Sequence, residues 1–210
     1  MIESFIRRVF TRKEQSSDLA TFSVEQRHNL ERLGYAIYCL TGKSIAKLRK
    51  EDRVFWDAWL KDGNYENEVS ISAEVAINPH EIFLPESNRK TWEEQQNMMT
   101  QLSMQLAREV PGIKVILGTV ADYAELSFIY QRAVGVPLFG YTYDRTTTSN
   151  VMDIENRTKV AAVGRFHDNW GRVTWPLSSG QYDHVWAAPL LVPAQTSTKP
   201  LNFRLGADFL

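Results

Sequence analysis

A single cysteine stands among the 210 residues, and that scarcity already narrows the possibilities. The lone thiol, Cys39, can form no internal disulfide and can complete no cysteine-rich zinc cluster. It lies in the apolar run Tyr35-Ala36-Ile37-Tyr38-Cys39-Leu40, where it reads as a small buried hydrophobe, and the count fits a reducing compartment. Charge of one sign is lacking too. Lys plus Arg total 24 against 25 for Asp plus Glu, a formal net charge of −1, so there is no bulk attraction to polynucleotide or anionic lipid. No run approaches the ~18 consecutive apolar residues of a membrane span. Arg7 and Arg8 interrupt the apolar residues near the N-terminus, which denies them the form of a signal peptide, and the expected location is the cytoplasm.

Assembled catalytic signatures are missing as well. There is no Gly-x-Ser-x-Gly nucleophile turn, and Cys39 has no evident histidine partner. The histidines are His28, His80, His167 and His184, and none pairs with another at the i, i+4 spacing of a zinc protease helix. Thr41-Gly42-Lys43-Ser44 carries the ending of a phosphate-binding loop, but the position five before Gly42 is Ile37 rather than glycine, and no strand precedes it. The Glu51-Asp52 and Glu93-Glu94 pairs lie near expected helix N-termini, where negative charge suits the helix dipole. No cofactor motif and no metal set is legible.

What is present is a body of ordinary globular composition, 43% hydrophobic and 11% aromatic, long enough for one core. Ile2, Phe5, Ile6, Val9 and Phe10 recur at i, i+3, i+4, i+7 and i+8, one face of a helix, with Arg7, Arg8, Arg12 and Lys13 largely outside that stripe. Residues 1–18 therefore form an amphipathic basic arm and linker. Ser23 and Gln26 have capping-box spacing, and Leu30, Leu33, Ile37 and Leu40 predict one helix running to Thr41-Gly42. A second helix is expected from Ser44 to Leu60. Alternation from Val69 to Ile77 predicts a half-buried strand, with a short continuation from His80 to Leu84. Thr91 and Glu94 cap a helix to Val110 whose inward side is Met99, Leu102, Leu106 and Val110, and Ile113 to Leu117 is a strand. Strand, helix and strand together suggest a crossover unit.

Ala121 to Val134 predicts a further helix closed by Gly135, with a strand over Leu126 to Tyr130 as the alternative. Strands are then expected at Leu138 to Tyr143, Lys159 to His167 and Arg172 to Leu177, with a hairpin turn at Asp168-Asn169-Trp170-Gly171. A last strand, Tyr182 to Val192, is interrupted by Pro189, which places its latter part at a sheet edge. The fold class is α+β: N-terminal helices, a β-α-β crossover unit, then antiparallel hairpins forming one mixed sheet packed by helices. The domain spans 19–194, and 195–210 is an extended tail ending in Phe203, Phe209 and Leu210.

Three functions follow as expectations. The leading one is a non-enzymatic interaction or assembly protein, a subunit of a larger complex or particle. It joins a protein partner, or itself, through its apolar arms (Ile2, Phe5, Ile6, Val9, Phe10, Phe203, Phe209, Leu210) and a polar surface at Tyr141, Tyr143 and Arg145 beside a Thr-rich run. Weak peripheral membrane contact by the basic arm is the alternative for that segment. The second is an enzyme in which His167-Asp168 and Asp183-His184 meet as a metal or acid–base site. The third is a nucleic-acid module stacking bases on Trp170, Trp175 and Trp186 beside Arg165 and Arg172, although alternation in that strand favours core packing.

Overall fold

The computed structural model describes residues 19–51, 54–57, 64–140, 142–152, 155, 157–167 and 170–195. The N-terminal arm, Tyr141, Asp168 and the tail from 196 onward lie outside the described residues.

Helix α1, Val24–Arg32, begins at the expected capping box, with Ser23 accepting the Gln26 N–H and Gln26 reaching back to the Ser23 N–H. It does not continue to Thr41. Gly34 adopts φ +85, and the chain becomes strand β1, Ala36–Thr41. The spacing of Leu30, Leu33, Ile37 and Leu40 is helical only by coincidence, since a left-handed glycine separates the two halves. The second expected helix is also short. Ser44 caps α2, Ile45–Lys50, and the chain returns as strand β2, Val54–Asp57. A 3₁₀ turn at Asn64–Asn67 leads to β3, Ser72–Ile77, while His80 to Leu84 forms no strand.

Helix α3, Trp92–Leu106, opens on the Thr91–Glu94 capping box, and β4 is Ile113–Ile116. Helix α4, Val120–Val134, has its own box, Thr119 with Asp122, and ends at Gly135, φ +85. The strand alternative for Leu126 to Tyr130 is therefore set aside. Strands β5, Tyr143–Met152, β6, Thr158–His167, and β7, Trp170–Thr174, follow, then β8, Val185–Trp186, and β9, Leu190–Pro193.

The α+β class holds, but the strands divide between two sheets rather than one. The four-stranded sheet has order β1-β3-β9-β4 and the five-stranded sheet β2-β7-β6-β5-β8. Because β3 and β4 both run antiparallel to β9, they are parallel to each other. The expected β-α-β unit is thus present with the last strand inserted between its two strands. Here the position of β9 corrects the edge expectation: β9 is internal to its sheet, while the two-residue β8 is at an edge. Pro189 sits where the chain passes from one sheet to the other.

Period-two alternation assigns the faces of the four-stranded sheet. Val75, Ile77, Leu190 and Val192 join a core that includes α4 and the five-stranded sheet. Ala76 and Leu191 face the other way, into a core with Leu30 of α1 and Met99 and Leu106 of α3. Helix α4 lies between the sheets and is enclosed on nearly every side from Val120 to Phe128. The passage from β8 to β9 is clamped by polar groups: Asp144 accepts the Ala188 N–H at 2.7 Å, and the Tyr123 hydroxyl donates to the Ala188 carbonyl at 2.6 Å. No described helix is long and apolar enough to cross a membrane.

Candidate functional site

The first candidate feature is where the described chain begins and ends. Ala20 bridges Ala73 of β3 on the side away from β1, donating to the Ser72 carbonyl and accepting from the Glu74 N–H. The register Ala76↔Leu191 would put Ala194 level with Ala73, so Ala20 enters where β3 and β9 part. The bridge is parallel to β3 and β9 is antiparallel to it; Leu19 and Gln195 therefore lie toward the same end of the sheet, in neighbouring positions. Side-chain and backbone hydrogen bonds connect the two ends. Phe22 is buried and its N–H meets the Glu74 carboxylate, which also pairs with Arg27. Gln26 donates to the Pro111 carbonyl at 2.7 Å, and the Gly112 carbonyl accepts from Ala194 at 2.8 Å. These bonds link α1, the turn before β4 and the end of β9.

The second feature surrounds Tyr143, at the start of β5. The Arg165 guanidinium lies 5.5 Å over its ring, and the His184 imidazole meets the same ring edge-on at 6.0 Å. Tyr182 stands 6.1 Å from His184, with Arg145 at 5.8 Å over the Tyr182 ring. Arg89 grips Asp183 through two bonds, at 2.5 and 3.2 Å, which holds the Asp183 carboxyl below the usual carboxylate range. The arrangement depends on a bulge. Register between β6 and β7 shifts from Gly164 to His167, and Arg165 takes φ +50. Only glycine fits at 164, since a Cβ there would stand 2.1 Å from the Thr142 carbonyl oxygen. A bulge of this kind redirects the side chain that follows it.

The third feature is a cleft of about 180 Å³ lined by Lys43, Glu51, Glu125 and Arg132 against Leu48, Phe128 and Ile129. Glu125, buried, accepts from the Ser70 hydroxyl at 2.5 Å, the Thr41 hydroxyl at 2.7 Å and the backbone N–H groups of Thr41 and Lys43. A phosphate in a Gly-Lys-Ser loop would need those same loop N–H groups. A strand, β1, does lead into this loop, against the expectation that none would; the protein's own carboxylate nevertheless occupies those N–H groups, Ser44 is a helix cap, and the pattern still lacks its first glycine at Ile37. Lys43 pairs with Glu51 at 2.7 Å, and that bond pulls the Glu51 carboxyl down.

The remaining sequence candidates fall as follows. Tyr143 and Arg145 are interior, at 4% and 0% exposure, so the polar run beginning there is not an outward surface. Arg145 is held by the Ser178 and Gly180 carbonyls, and burial lowers its pKa to about 10. Asp144 beside it is driven well above the usual carboxyl range, chiefly by burial, and its second oxygen has no hydrogen-bond partner among the described residues. Asp183 is committed to Arg89 and His184 to the tyrosines, and among the described residues no three His, Cys, Asp or Glu gather as a metal set. Trp175 is buried against Tyr65 and Trp186 packs on Phe83, which removes two of the three expected stacking platforms. Cys39 is free and half-buried at the sheet edge, with its thiol pKa raised, first by burial. Ile2, Phe5, Ile6, Val9, Phe10, Tyr141, Phe203, Phe209 and Leu210 lie outside the described residues.

Arg89, Glu125 and Tyr182 were not singled out by pattern. The signal nearest to them is the Gly164-Arg165 pair inside an otherwise regular strand, since glycine within a strand marks a bulge or a close approach. No family model, curated protein or solved structure matches this chain.

Proposed function

We propose that this chain is an interaction or assembly protein that joins other protein molecules, copies of itself included, through its two terminal segments acting as one attachment element. One observation carries the reading: Leu19 and Gln195 lie in neighbouring positions toward one end of the four-stranded sheet. Two apolar arms rooted together can cover one patch on a partner, and each lowers the ordering entropy the other must meet. The amphipathic stripe from Ile2 to Phe10 suits a groove on that partner, and Phe203, Phe209 and Leu210 supply apolar area from the other side. The carboxylates at the Glu125 cleft and at Asp183 are engaged by the protein itself, so neither offers a ready acid–base pair.

Native mass tests this. In sedimentation at micromolar concentration the full chain is expected above the 24.1 kDa of a single copy, and chains lacking 1–13 or 195–210 are expected at their single-copy masses. A full chain that stays monomeric, with termini resistant to protease, removes the basis for the reading.

A further inference from the structure

We propose that the patch around Tyr143 is a binding site for a carboxylate-bearing segment of a partner protein, with Arg165 as its recognition residue. Arg165 is exposed and makes no ion pair among the described residues, yet its guanidinium is held in place over the Tyr143 ring. A planar fork fixed against an aromatic face loses little freedom when a carboxylate takes two of its N–H groups. Tyr182 and His184, one half-buried and one exposed, extend an aromatic shelf beside it for an apolar or aromatic neighbour of that acid.

Backbone strain points to the same place. Of the three non-glycine residues with left-handed backbone among the described residues, two are arginines at this patch, Arg165 at φ +50 and Arg89 at φ +54. A non-glycine residue here is costlier than glycine, and such strain persists where a side chain is required. Arg89 meets that requirement visibly: its N–H bonds the Tyr182 carbonyl and its side chain grips Asp183, which anchors the shelf. The Arg165 N–H bonds the Thr142 carbonyl in the same way, but among the described residues its side chain has no contact shown beyond the one with Tyr143. A protein acid is favoured over a polynucleotide by the local charge, since Asp183 cancels one of the two exposed arginines and a nucleic-acid strand needs several cations along its track.

The test is an NMR titration of the full chain with an acetylated, amidated Glu-Glu-Tyr-Glu peptide, beside the Gln-Gln-Tyr-Gln peptide and a uridine oligonucleotide. The expected result is saturable shifts centred on the Arg165 side chain, Tyr182 and His184, with binding at least about fivefold weaker for the glutamine peptide. Arg165→Gly, which suits the left-handed backbone, should lose the peptide to the same degree while raising Tm by about 2–4 °C. Arg172→Ala, on the neighbouring strand, should leave binding unchanged. The proposal is overturned by any of four results: no saturation, equal binding of the glutamine peptide, tighter binding of the oligonucleotide at this patch, or an equal loss with Arg172→Ala. A fall in Tm for Arg165→Gly would overturn it as well, by showing that Arg165 serves the fold.

Discussion

Around Glu125 the chain satisfies its polar groups internally, whereas around Tyr143 it holds them at the surface in a strained backbone. The Glu125 carboxylate is buried, yet four donors from Thr41, Lys43 and Ser70 surround it, and the loop that resembles a phosphate cradle is closed by the protein's own acid. At the Tyr143 patch the exposed Arg165 keeps a left-handed conformation that glycine would adopt more cheaply, and no described carboxylate meets it. The lesson is that polar residue type alone does not mark a site. What separates the two regions is whether the donors already have acceptors within the chain.

The sharpest break of this comparison is Gly164→Ala. Its Cβ would stand 2.1 Å from the Thr142 carbonyl oxygen, just before β5, so the β5–β6 pairing must shift. A loss of about 3–5 kcal/mol in urea denaturation is expected, with the Arg165 and Tyr143 resonances displaced together. Glu125→Ala comes next. It strands the Thr41 N–H and the Thr41 and Ser70 hydroxyls, while the Lys43 N–H keeps the Ser70 oxygen, and an expected cost of about 2–4 kcal/mol would appear without change at the Tyr143 patch. A loss under about 0.5 kcal/mol would mean that water replaces the carboxylate and that the nest is not closed.

Asp144 contrasts with Glu125 as a buried carboxyl one of whose oxygens has no hydrogen-bond partner among the described residues. Burial places its folded pKa above the unfolded value. Its contribution is therefore fully present below the unfolded pKa, near 4, and is lost as pH rises toward the folded value. Stability should decline over that window by up to about 1.4 kcal/mol per pH unit from this group, and Asp144→Asn should remove the decline and be the more stable form at pH 7. Denaturation at pH 4, 5.5 and 7 checks it, and parallel curves for the two proteins would refute it. The smallest effect is expected at the partly exposed Lys43–Glu51 pair: Lys43→Met should cost less than about 1 kcal/mol, measured the same way at low salt.

Local signals read well where chemistry was local. The capping boxes at Ser23 and Thr91, the Gly135 stop, β3 and β4 are legible because each needs only residues a few positions apart; the β6–β7 pairing is legible too, but the expected turn lies too late, since Trp170 and Gly171 already belong to β7. Tyr35 to Leu40 misled because its apolar residues fit a helical stripe as well as a strand, and the deciding feature is the backbone of Gly34. The division into two sheets was hidden because it rests on long-range pairing of β9 between β3 and β4. The interior position of Arg145 was hidden too, since its acceptors, the carbonyls of Ser178 and Gly180, lie more than thirty residues away. The patch combines residues named separately by pattern, Tyr143, Arg165, Asp183 and His184, and only the pairing of β5 with both β6 and β8 unites them.

The joint action of the two arms is open to a direct measurement: sedimentation equilibrium of the full chain, of chains lacking 1–13, lacking 195–210, and lacking both. If the arms form one element, each single removal should weaken association nearly as much as the double removal. Losses that simply add, or association untouched by either removal, would contradict the account.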